Sequence, residues 1–164
     1  FKCDWSSDVC SSDLMLTIFD ENGNFVKQID TGQKGLIGLD WHPDSNLIVA
    51  VGEQIAWYDY ESDQFKNIND RDEEIEVLML CVAWHPNGEF FVTGDYGDFQ
   101  QHYPPLLQYW THDGEKIKAI EESKAEFRNI EWSADGELLA TASEITITPT
   151  GIAIKIKISF LITP

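Results

Sequence analysis

Three segments of this chain are variants of one pattern, and that repetition limits the possible folds more than any other feature. They are LIGLDWHPDSNLIVAVGE (36–53), LCVAWHPNGEFFVTGD (80–95) and FRNIEWSADGELLATASE (127–144). Each holds an alternating apolar run that ends in Trp, a short turn, and a second apolar run that ends in a small residue and an acid. The anchoring tryptophans, Trp41, Trp84 and Trp132, lie 43 and 48 residues apart. The turns HPDS, HPNG and SADG carry Pro, Asp, Asn and Gly, which pre-set φ or tolerate left-handed backbone. Each turn therefore predicts a tight reversal between antiparallel strands. A period of this length means that one supersecondary unit stacks on copies of itself.

A third strand occupies a matching place in each unit: MLTIFD (15–20), QIAWYDY (54–60) and LLQYWTHDG (106–114). Each carries an aromatic, Phe19, Tyr58 or Trp110, set 22, 26 and 22 residues before the next anchoring Trp. A fourth strand follows as FVKQID (25–30), QFKNI (64–68) and KIKAI (116–120). Apolar residues alternate with period two, and no long window shows a helical period. The expected fold class is all-β: an incomplete β-propeller of four-stranded antiparallel blades, with about three blades present.

These residues together resemble the WD-repeat β-propeller family over about residues 15 to 144. The family's Trp-Asp at the end of the third strand appears as Phe19-Asp20, Tyr58-Asp59 and Trp110-Thr111. Its aromatic-Ser-Pro-Asp-Gly turn appears as Trp41-His42-Pro43-Asp44, Trp84-His85-Pro86-Asn87-Gly88 and Trp132-Ser133-Ala134-Asp135-Gly136. Its second-strand ending is echoed by Val51-Gly52-Glu53, Thr93-Gly94-Asp95 and Ala142-Ser143-Glu144. One departure is consistent: the Gly-His pair that usually precedes the first strand is missing from every copy. The resemblance therefore does not extend to the His–Asp network that braces the family's blades. Stability is expected to rest on Trp and aliphatic packing instead.

Both ends read differently from the repeats. Residues 4–14, DWSSDVCSSDL, resemble the translation of a widely used sequencing-library adapter, so residues 1–14 are expected to be an artefact and are set apart from the fold. Residues 145–164, ITITPTGIAIKIKISFLITP, contain no acid and seven Ile. They read either as an Ile-rich strand pair turned at PTG or as a corrupted coding end. Residues 15–144 are expected to hold the outer half of one blade, two complete blades and the inner half of a fourth. Blades left without neighbours expose apolar faces, so self-association through blade edges is expected.

The net charge of −18 disfavours nucleic acid and anionic membrane surfaces as partners. No apolar run reaches the roughly 18 residues that span a bilayer. Two of the three cysteines, Cys3 and Cys10, fall in the adapter-like opening. Cys81 stands alone in LMLCVAW and reads as a small buried hydrophobe. No disulfide framework is indicated, so a reducing, cytoplasmic location is expected.

Two segments fall on the propeller face that carries the loops between second and third strands. GDYGDFQQHYPPL (94–106) is about nine residues longer than its counterpart in the preceding unit. It offers Tyr96, Phe99, His102 and Tyr103, and rigid aromatics are good interface anchors. NDRDEEIE (69–76) offers Asp70, Asp72, Glu73 and Glu74, which would favour a basic protein partner. The resemblance implies a non-enzymatic protein–protein interaction scaffold. The other reading is a propeller enzyme or small-ligand binder whose site lies in the central channel. The chain has no HExxH, CxxC or GxSxG sequence and no phosphate-cradling Gly loop, and no cofactor or metal is expected. His42 and His85 sit in equivalent turns, which suits a structural role better than metal ligation.

Overall fold

The near-continuous apolar runs LIVAVG (47–52) and MLCVAW (79–84) are apolar on both faces, and such strands need a neighbour on either side. The computed structural model describes residues 15–33, 35–69, 77–98, 100, 102–121, 126–143, 147–148, 151–152 and 161–162. The elements are β1 (Met15–Phe19), β2 (Phe25–Asp30), β3 (Leu36–Trp41), β4 (Leu47–Gly52), β5 (Ile55–Asp59), β6 (Gln64–Ile68), β7 (Met79–Trp84), β8 (Phe90–Asp95), β9 (Leu107–Thr111), β10 (Lys116–Ile120), β11 (Phe127–Trp132) and β12 (Leu138–Ser143). Three two-residue strands follow: β13 (Ile147–Thr148), β14 (Gly151–Ile152) and β15 (Leu161–Ile162). Among the described residues there is no helix, and so none long and apolar enough to cross a membrane.

The strands form two complete antiparallel meanders, β3-β4-β5-β6 and β7-β8-β9-β10. The pair β1-β2 precedes them and the sheet β11-β12-β15 follows. The two meanders have the four antiparallel strands expected of propeller blades; β11-β12, in the place of the expected inner half-blade, is joined by a third short strand, β15. The repeat is visible in the register. Trp41 faces Ile48, which faces Tyr58; Trp84 faces Phe91, which faces Trp110. Each first-strand pairing shifts register at the same place, between Leu36 and Gly38, Met79 and Cys81, and Phe127 and Asn129. A bulge repeated at equivalent sites bends every inner strand alike.

The core lies between the sheets rather than within one of them. Leu16 and Ile29 of the first half-blade pack on Ile48 and Tyr58 of the second blade. The other face of the second blade, with Val49, Val51, Ile55 and Trp57, packs on Met79, Val82, Trp84, Phe91 and Trp110. The far face of the third blade, with Val92, Leu107 and Tyr109, packs on Phe127, Ile130, Trp132 and Leu139. Adjacent aromatics serve opposite seams: Tyr58 faces backward and Trp57 forward, as Trp110 faces backward and Tyr109 forward.

Past β12, Ile147–Thr148 pairs with Gly151–Ile152, and Leu161–Ile162 lies beside Leu138 and Leu139 of β12. That is the place β5 and β9 take in the complete blades. The adapter-like residues 4–14 and the turn residues 149 and 150 lie outside the described residues.

Candidate partner-binding face

Antiparallel meanders put the β4–β5 and β8–β9 connections, with the links between sheets, at one edge of the blades. The reversals β3–β4, β5–β6, β7–β8, β9–β10 and β11–β12 lie at the opposite edge. The β4–β5 connection is only Glu53-Gln54, whereas the β8–β9 connection runs from 96 to 106.

That long connection is braced by the residue that ends β8. Asp95 is 1% exposed, and its Oδ1 accepts the amides of Gly97 at 3.0 Å and Leu106 at 2.8 Å. One carboxylate oxygen thus pins both ends of the loop. Within it, Asp98 and Tyr103 exchange both backbone hydrogen bonds, at 2.8 and 2.7 Å. The amide of Gln100 donates to Asp98 Oδ1 at 2.8 Å. Gly97 has φ +67, and a Cβ there would lie 2.6 Å from the Pro105 nitrogen, so the close return of the chain requires glycine. His102 sits at φ 60 at the loop tip and is exposed. Tyr96 and Tyr103 are half-buried. The structure therefore places Tyr96, His102 and Tyr103 on one folded insertion. Phe99 lies outside the described residues, as do Asp70, Asp72, Glu73 and Glu74.

Sequence reasoning missed the part played by Asp95. The available signal was the acid that closes each second strand, Glu53, Asp95 and Glu144. Glu53 opens a connection of two residues, Glu53-Gln54, whereas Asp95 opens one that runs from 96 to 106 and needs an anchor.

At the opposite edge the turn histidines act between blades. His42 Nε2 lies 3.0 Å from the carbonyl oxygen of Gly88, and His85 Nε2 lies 3.0 Å from that of Gly136. Their rings cover the next blade's anchoring Trp, His42 on Trp84 at 4.7 Å and His85 on Trp132 at 4.6 Å, both edge-on. His42 Nδ1 accepts the Asp44 amide at 3.1 Å, which leaves Nε2 to carry the proton and donate to Gly88. Among the described residues, no three His, Cys, Asp or Glu side chains are grouped to hold a metal ion.

The inner strands wall an open concavity of about 430 Å³ whose carboxylates are Asp40 and Glu131. Burial raises the Asp40 pKa, opposed by two backbone donors and reinforced by Glu131. Those donors are the amides of Trp84, at 2.7 Å, and Trp41, at 2.9 Å. Asp40 thus ties β3 to β7. In the third blade Trp110 Nε1 donates to Thr93 Oγ1 at 2.9 Å, with both side chains buried.

Residues 76–99, which span β7, β8 and the start of the long connection, match the family model described as WD domain, G-beta repeat. Those 24 residues are the stretch that resembles a WD repeat. The matched unit is the second of the three sequence copies and belongs to the blade that holds the long connection. The two four-stranded antiparallel sheets, β3-β4-β5-β6 and β7-β8-β9-β10, are consistent with a partial WD-repeat propeller. Thr93, inside the matched stretch, holds the Trp110 indole on the neighbouring strand β9. No curated protein matches the chain.

Proposed function

We propose that this chain is a non-enzymatic protein-interaction scaffold whose partner docks on the blade edge that carries the 94–106 loop. The observation that supports this most is the Asp95 brace. A loop pinned at both ends by one buried carboxylate presents Tyr96, His102 and Tyr103 with little conformational entropy left to lose on binding. Phe99 belongs to the same loop, and the acidic run Asp70, Asp72, Glu73 and Glu74 precedes the same blade in sequence. An acidic run there would steer a basic protein surface toward the aromatics. The concavity favours a channel enzyme less, because Asp40 already accepts two backbone amides there.

The test is recovery of bound protein from cells, compared between wild type and the Tyr96→Ala/Tyr103→Ala double variant. Loss of the captured partner at unchanged thermal stability is expected. Equal capture by both proteins removes this loop as the binding surface.

A further inference from the structure

Among the described residues, eight have a left-handed backbone, and six of them are glycine. Glycine adopts that backbone freely, whereas a residue with a Cβ is strained there. Four of the glycines close hairpins: Gly23 in β1–β2, Gly88 in β7–β8, Gly114 in β9–β10 and Gly136 in β11–β12. The two other residues, Asp63 at φ 55 and His102 at φ 60, hold the same kind of position. Asp63 ends the turn between β5 and β6. His102 ends the turn between Asp98 and Tyr103, which pair within the long connection.

Asp63 has a use inside the fold. Its carboxylate accepts Lys27 Nζ from the first sheet and the Tyr58 hydroxyl at 3.0 Å. Those two bonds, the one from Lys27 first, hold its pKa below the ordinary carboxylate value. A glycine there would relax the backbone and lose both. His102 has no such use. It is exposed, and among the described residues its imidazole makes no hydrogen bond, ion pair or ring contact. The other three histidines are all engaged. His42 meets Gly88 and Trp84, His85 meets Gly136 and Trp132, and His112 meets Asp113 and the His42 ring. Nor is His102 on a frayed segment. Asp95 fixes both ends of its loop, and Asp98 and Tyr103 exchange both backbone bonds beside it. An ordered loop thus holds a side chain at a strained tip where glycine would fit better, and the side chain serves nothing else in the described fold.

We propose that His102 sets partner specificity on this loop, its imidazole accepting a hydrogen bond from a Lys or Arg of the docking protein. This role rests on the reading of 94–106 as the docking surface and adds which group there reads the partner. The net charge of −18 disfavours an acidic partner and favours a basic one. A neutral imidazole keeps one nitrogen as an acceptor, and a bond from a charged donor is stronger than one from a neutral donor. The half-buried Tyr96 and Tyr103 supply contact area beside it. A group that must be hydrogen-bonded discriminates between partners more sharply than apolar area does.

The probe is a displayed library of lysine- and arginine-rich peptides, selected on the full wild-type chain. Selected peptides are titrated against His102→Gly, His102→Asn and Tyr96→Ala/Tyr103→Ala. His102→Gly leaves the other charges in place and relaxes the backbone. It should bind roughly tenfold more weakly, or worse, and should unfold at no lower temperature than wild type. His102→Asn tolerates the left-handed backbone and keeps an acceptor oxygen, so it should recover part of the binding. Undiminished binding by His102→Gly, with binding lost in the tyrosine variant, overturns the role of His102 and leaves the docking surface standing. Undiminished binding by both, or a library from which the wild type selects nothing, removes the docking surface and the role of His102 with it. Earlier unfolding of His102→Gly overturns the role as well, because the imidazole would then be a support within the fold. Binding by His102→Asn no better than by His102→Gly overturns the acceptor bond.

Discussion

His42 of the second blade and Gly88 of the third are 46 residues apart in sequence and joined at 3.0 Å, imidazole nitrogen to carbonyl oxygen. The same join recurs between His85 and Gly136, and in both the ring also roofs a buried Trp. The seams are thus held by a polar latch over an aromatic contact. Gly88→Ala should destabilise the fold, since φ there is +73 and the new methyl meets the ring. A left-handed alanine alone costs about 1–2 kcal/mol. In His42→Ala/Gly88→Ala the collision is gone, so denaturant unfolding should show a combined loss smaller than the sum of the single losses.

Thr93 Oγ1 accepts the Trp110 indole N–H, and both side chains are buried. Thr93→Val keeps the shape and strands that donor. A loss of about 1–3 kcal/mol is expected in denaturant unfolding. Thr93→Ser keeps the hydroxyl and should lose less.

Cys81 is buried, and burial pushes its thiol pKa up to about 12 from an ordinary value near 9. At pH 8 it should not react with a thiol reagent until the fold opens, so its labelling should track unfolding. The sign of the pH effect follows. Between about 9 and 12 the unfolded chain loses this proton and the folded chain keeps it. Stability from this group is therefore full below pH 9 and falls as pH rises toward 12. Cys81→Ala should flatten that part of the pH profile.

Much of the fold was legible because each strand carries its own signature. FVKQID, QFKNI and KIKAI are β2, β6 and β10 to the residue, and the three Trp-turn segments are the three inner pairs. What was not legible depends on pairs far apart in sequence. Nothing local distinguishes Trp41 from Trp84, yet one is exposed and the other covered, because a turn from another blade decides it. The absence of a Gly-His pair was visible, but the Thr93–Trp110 bond was not, since it needs the β8–β9 register. The 94–106 loop stood out by its length. Its order did not, because that order comes from one buried carboxylate holding amides two and eleven residues away.

The Asp95 brace can be weakened in graded steps. Asp95→Asn keeps an oxygen that can accept one or both amides, and Asp95→Ala keeps none. Limited proteolysis should cut within 96–106 slowly in wild type, faster in Asp95→Asn and fastest in Asp95→Ala. Partner capture should fall in the same order if the loop's order is what the partner uses.

The 94–106 insertion is a folded platform and not a slack tether. Amide hydrogen exchange of the full chain tests it most directly. The amides of Gly97, Asp98, Tyr103 and Leu106 are each hydrogen-bonded, and they should exchange nearly as slowly as those of β8 and β9. Full exchange of these four amides at the earliest time point, with β8 and β9 still protected, would contradict it.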